Sequence, residues 1–184
     1  MFDLVFNRRF AMGHRLVASS SEKCAVPHGH NEIVTVRLRP TAPKALDGGA
    51  NMVEPFERAK AVWHRWIDER VDHALQLSRS DPLLDWFVRH EPHRVSRIMV
   101  TSGDPTTEAL ACCMMAKLNA FLAADGGRLV CLEIRLEETP TNSVVFAGDP
   151  LAALPVGAET PWWSRADMSI NDLRVGEPTA ASAR

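Results

Sequence analysis

Long apolar runs, an excess of one charge and abundant cysteine are all missing from this 184-residue chain. No stretch approaches the ~18 consecutive apolar residues that a membrane span needs. The opening MFDLVFNRRFAMGHRL has no extended apolar segment and meets Arg8 and Arg9 early, so it is not read as a secretory signal. Lysine and arginine total 21 against 23 acidic residues, a formal net charge of -2, so no nucleic-acid or anionic-membrane partner is expected. Of the four cysteines, Cys112 and Cys113 are adjacent and Cys131 lies in a strand-like run. Reduced thiols in a cytoplasmic protein are the expectation, rather than a disulfide framework. What is present, 46% hydrophobic and 24% charged residues, is the composition of a globular domain able to bury a core unaided.

Residues 3–12 are rich in Phe and Val and predict a strand. In residues 32–39, EIVTVRLR, apolar and polar residues alternate, which predicts a half-buried strand antiparallel to the first. The Pro/Gly-rich PTAPKALDGGAN is a loop. Residues 54–75 carry apolar residues at helical spacing, with Pro55 suited to a first helical position. Asp81 caps the short apolar segment PLLDWFVRH, and RVSRIMV is a further strand candidate. Residues 104–124 predict a second long helix, with Thr106 or Thr107 as N-cap and Glu108 in its first turn. Residues 126–139 alternate clearly as a strand, and NSVVFAG is its hairpin partner. Hairpins at both ends with helices between them predict an α+β layer fold, the helices covering one face of an antiparallel sheet. The main domain is expected to span residues 1–149. Residues 150–184 form a Pro/Ala/Ser-rich extension in which Trp162-Trp163 is expected to dock and the last ten residues to be disordered.

The segment KCAVPHGHN, residues 23–31, concentrates the chemistry. On an extended segment positions i and i+2 share a face, so His28 and His30 present two imidazoles together, and Gly29 leaves room for close approach. A zinc site needs a third ligand, and His14, at the end of the first strand, is brought beside them by antiparallel pairing. Three histidines leave one tetrahedral position open, as in catalytic sites. The competing reading makes His14 a turn residue and the pair merely exposed. Cys24 is either a fourth ligand, closing the site, or a thiolate base standing off the metal. Asp72-His73 is either a proton-transfer couple or ordinary helix-end chemistry. Glu138 is either a solvated strand end or a carboxylate able to hold an amidine-like ring edge.

The series FAMGHRL, CAVPHGHN, NMVEPFERAK, VDHAL, PTTEALA and EET resembles, in order and over residues 1–147, the 6-pyruvoyltetrahydropterin synthase family. It is most similar to the bacterial 6-carboxytetrahydropterin synthases of queuosine biosynthesis. The resemblance implies a tunnelling fold: a four-stranded antiparallel sheet, two long helices on one face, and subunits joined into an oligomeric barrel. It also implies a trimer-based homo-oligomer with active sites between subunits and a zinc-dependent lyase acting on 7,8-dihydroneopterin triphosphate. Matched residue by residue, His14, His28 and His30 correspond to the zinc ligands. Cys24, Asp72 and His73 correspond to the catalytic set, and Glu138 to the pterin anchor, with Thr106 and Thr107 in the turn beside the ring. The spacing of Cys24 and His28 is closer to the carboxytetrahydropterin branch; the alternatives are a pyruvoyl or shortened pterin product, or a non-catalytic pterin-binding homologue. Departures from the pattern are Pro55 in place of an aspartate, Glu32 in place of an aromatic or apolar residue, an insertion near residues 78–94, and the C-terminal extension. On charge and position, Arg15 and Lys23 are candidate triphosphate contacts, with a solvated role as the competing reading.

Overall fold

A computed structural model describes residues 1–18, 21–155 and 160–173. Its elements, in chain order, are β1 (Leu4–His14), α1 (Glu22–Ala25), β2 (His28–Pro40), α2 (Phe56–Trp66), β3 (Ala74–Ser78), α3 (Pro82–His90), β4 (Ile98–Thr101), α4 (Thr107–Ala124), β5 (Leu129–Thr139), β6 (Asn142–Phe146) and α5 (Pro150–Ala153). One sheet holds all six strands in the order β4-β3-β1-β2-β5-β6. β1 and β2 pair antiparallel over their whole length, from Leu4 opposite Leu38 to His14 opposite His28. The period-two pattern explains the pairing. Leu4, Phe10 and Met12 on β1 and Val34, Val36 and Leu38 on β2 are buried on one face, while Val5 on the alternate face is exposed. Ile134 and Leu136 of β5 extend that apolar face.

α4 covers this face and is buried almost all round, from Leu110 to Leu122. Its length and apolar composition alone would suit a membrane span, but here it is the core helix. α2 packs beside it through Trp63 and Trp66, whose rings stack 5.2 Å apart. Pro55 is the N-cap of α2 rather than its first helical residue: its carbonyl accepts from Arg58 and Ala59.

Three expectations need correction. The sheet has six strands, not four: the antiparallel β1-β2-β5-β6 set is there, but β3 joins β1 in parallel and β4 joins β3 in parallel. The helix expected through residue 75 ends at Trp66, runs through one wide turn at Ile67–Val71, and gives way to β3. The helices also do not all lie on one face. Leu77 of β3 and Ile98 and Val100 of β4 meet Leu84 of α3 in a second cluster, while Ala74 and Met99 belong to the main core. Parallel strands covered on both faces lose the polar alternation that marks a half-exposed strand, which is why Ala74 and Leu75 read as the end of a helix.

Trp162 and Trp163 are buried as expected, and Trp162 stacks on Trp66 at 6.2 Å. The last ten residues lie outside the described residues.

Candidate active site

The β1–β2 register puts His14 directly opposite His28, with His30 two residues along the same face. Gly13 and Gly29 face each other between them, and the strands come so close that a methyl group at Gly29 would lie 2.8 Å from the Met12 carbonyl oxygen. The three imidazoles converge: their centroids are 4.6–5.2 Å apart and one ligand atom from each lies within 4.8 Å of the others. The Cys24 thiol is outside this cluster.

Their protonation pattern follows from the neighbours. His14 Nδ1 is 3.0 Å from the Pro105 carbonyl oxygen and His28 Nδ1 is 2.8 Å from that of Val26. A carbonyl only accepts, so each Nδ1 carries a proton, and in that neutral tautomer Nε2 is a bare lone pair turned inward. Those two Nε2 atoms stand 3.1 Å apart. Two lone pairs at that distance, with no proton to share, suit a cation: two nitrogen ligands of one tetrahedral zinc stand about 3.3 Å apart. Burial, then the neighbouring His28 and His30, holds His14 below the ordinary imidazole pKa against the pull of Pro105 and Glu138, which favours the neutral, ligating form.

The start of α4 ties this triad to Glu138. Pro105 accepts from His14, Thr106 caps the helix by accepting from the Ala109 amide at 3.3 Å, and Thr107 donates its hydroxyl to Glu138 Oε1 at 2.8 Å. Two buried polar side chains that sequence reasoning did not assign to the site flank it. Gln76 lies beside His14 in the β1–β3 register, its amide on the Met12 sulfur at 2.7 Å and its Oε1 without a partner among the described residues. Glu32 continues the His28–His30 row; burial, then the nearby Glu138 charge, pushes its pKa up to about 8. The signal for Glu32 was there in its even position in the alternation.

Asp72 and His73 sit where the wide turn meets β3. Asp72 Oδ1 accepts from the Ala11 amide at 2.8 Å and Oδ2 lies 2.9 Å from His73 Nδ1. Burial raises the Asp72 pKa, but the Ala11 amide and His73 outweigh it and keep the group below its ordinary value. His73 has φ 62°, a left-handed conformation that costs a non-glycine residue strain, and its side chain is 76% exposed. Arg97 fastens this corner by donating to the Glu69 and Asp72 carbonyls. A groove of about 550 Å³ is lined by His28 and His30 and also by His73, yet none of the triad's hydrogen bonds or ring contacts reaches His73. Cys24 is a half-buried free thiol in α1, its carbonyl accepting from Leu16 at 2.7 Å. Arg15 is engaged by the buried Asp81 carboxylate, and Lys23 is exposed.

Residues 3–149 match the family model for 6-pyruvoyl tetrahydropterin synthase. The chain is 28% identical over 131 residues to a 6-carboxy-5,6,7,8-tetrahydropterin synthase of Rickettsia bellii, covering 71% of this chain and 89% of the relative. The Rickettsia felis protein of the same name gives the same identity and coverage. In three dimensions the fold is similar to that of an uncharacterised protein of Wolinella succinogenes, with a TM-score of 0.63 at 19% identity over 79% of this chain and 97% of the other. It is also similar to that of the Caenorhabditis elegans 6-pyruvoyl tetrahydropterin synthase, with a TM-score of 0.52 at 22% identity over 80% and 97%. With the family match spanning most of its length, the chain belongs to the 6-pyruvoyl tetrahydropterin synthase family.

Proposed function

We propose that this protein is a zinc-dependent lyase that converts 7,8-dihydroneopterin triphosphate and water to 6-carboxytetrahydropterin, acetaldehyde and triphosphate, as a step in queuosine-type deazapurine synthesis. The observation that carries the reading is the pair of His14 and His28 Nε2 lone pairs 3.1 Å apart, with their Nδ1 protons committed elsewhere. Family membership and the relatives' name support a pterin as the substrate class. His14, His28 and His30 would hold a zinc ion, which when bound would supply Lewis-acid chemistry to the substrate's oxygens.

The chain's own residues do the rest. Glu138, held by Thr107, accepts from the amidine edge of the pterin ring through charge-assisted hydrogen bonds. The Cys24 thiolate removes a carbon-bound proton, and His73, oriented by Asp72, exchanges protons with the side chain as triphosphate departs. Thr106 fixes the helix start beside the ring. The exposed His73 then serves a site completed between subunits of a trimer-based homo-oligomer.

The test is product analysis with 7,8-dihydroneopterin triphosphate. Acetaldehyde and triphosphate are expected in equal amounts, and Cys24→Ala should abolish both. Triphosphate without acetaldehyde would move the assignment to a pyruvoyl-type product; an inert wild type that binds pterin would make the protein a binding homologue.

A further inference from the structure

The row of inward side chains on β2 does not stop at the triad. Two residues past His30, Glu32 projects to the same face, opposite Phe10 of β1 and one step beyond the Ile33–Glu137 pair that joins β2 to β5. It is only 3% exposed, and its Oε2 is buried with no hydrogen-bond partner among the described residues. The group beside it is another carboxylate, Glu138. The fold gains nothing from this arrangement: a buried acceptor without a donor costs stability, and an apolar residue of similar volume would cost less.

Neither rotation nor a metal resolves it. The two oxygens of a carboxyl are equivalent, so turning the group leaves one oxygen orphaned, whereas the Gln76 amide can exchange its ends. Two residues along a strand is about 7 Å, too far from His30 for Glu32 to share an ion whose carboxylate ligands lie about 2.0–2.2 Å away. Among the described residues, the cluster of potential ligands accordingly contains the imidazoles alone. The unmet need is for a donor that arrives with a ligand. An unsatisfied buried group is most often explained at sites of this kind.

We propose that Glu32 contacts the substrate, forming with Glu138 a two-carboxyl clamp that accepts hydrogen bonds from N–H groups on a flat, donor-rich heterocycle. Side chains opposed on adjacent strands stand about 4.5–5.5 Å apart, a gap that one ring bridges. Ionised or neutral, a carboxyl keeps an oxygen able to accept. The identity of that ring as a reduced pterin rests on the function proposed above.

The experiment measures binding of 7,8-dihydroneopterin by fluorescence to the zinc-loaded wild type, Glu32→Leu and Glu32→Met, with metal content and melting temperature for each. The leucine variant is expected to bind about 10- to 100-fold more weakly, with unchanged zinc and a higher melting temperature, since the orphan is gone. Binding within twofold of wild type, whatever the melting temperature does, overturns the proposal. If the leucine variant does not fold, Glu32→Met, which likewise has no strong acceptor, decides: at least threefold weaker binding supports the contact and anything less overturns it. A wild type that does not bind the ring refutes the pterin reading itself, which is a separate outcome from a ring bound without regard to Glu32.

Discussion

Gly29 shows how much of the candidate site depends on a hydrogen atom where other residues carry a side chain. It faces Gly13 across the β1–β2 pair, and an added methyl would sit 2.8 Å from the Met12 carbonyl, a backbone atom that cannot move aside alone. Relief requires the strands to part, and it would separate His28 from His14. Gly29→Ala is therefore expected to cost about 1–3 kcal/mol, as overpacking does, and to lower bound zinc below one per chain. Melting temperature and metal analysis check it. Gly13→Ala, with its nearest contact at 3.3 Å, should be milder on both counts. At this scale the sequence was readable where periodicity speaks: His28 and His30 share a face by their spacing, and His14 follows once β1 and β2 pair. The Val26 and Pro105 carbonyls that orient the imidazoles were not readable, because a backbone acceptor leaves no mark on residue type.

Among the elements, the start of α4 separates two threonines that sequence alone left interchangeable. Thr106 caps the helix and Thr107 holds Glu138. Thr106→Ala should cost about 1 kcal/mol of stability, the usual loss of an N-cap, with pterin affinity little changed. Thr107→Val keeps the helix but frees Glu138, and is expected to weaken pterin binding about fivefold, the worth of one ordinary hydrogen bond. Chemical denaturation and ligand titration, run on both variants, should give opposite patterns. Elements with one wet face (β1, β2, β5) and capped helices (α3, α4) were legible from alternation and from Asp81 and Thr106. β3 was not, because its neighbours cover both faces and the wide turn at Ile67–Val71 lets an apolar helical pattern run straight into it.

For the molecule as a whole, the described tail segment, residues 160–173, is a structural part of the body. Its carbonyl at Ile170 accepts from Val100, the Trp162 indole donates to the Val100 carbonyl at 2.9 Å, and Asn171 donates to Val95 and Ile98, so the outer edge of β4 is closed. Its anchor is Lys117 of α4, which is fully buried and donates to the Trp162 carbonyl at 2.9 Å and to Asp167 at 3.0 Å. Removing Asp167 strands a buried ammonium, whereas Lys117→Met removes the charge and keeps the bulk. Asp167→Ala should therefore cost about 2 kcal/mol and more than Lys117→Met does. The pH dependence has a definite sign. Burial raises the Asp167 pKa, but the Ser169 hydroxyl, the Arg165 guanidinium and the Lys117 ammonium outweigh it and hold the folded value well below that of an ordinary aspartate. A depressed carboxylate stabilises above its unfolded pKa and loses that contribution as pH falls through the folded one. Lys117 shifts the other way: burial lowers its pKa against Asp167 and Asp172, so raising the pH relieves a cost and does not loosen the anchor. Acid well below the ordinary aspartate range should release the tail and redden tryptophan emission as Trp162 and Trp163 meet water, and the Asp167→Ala protein should lack that acid-side step. An emission change of equal size and midpoint in Asp167→Ala would show that the tail is held by other groups.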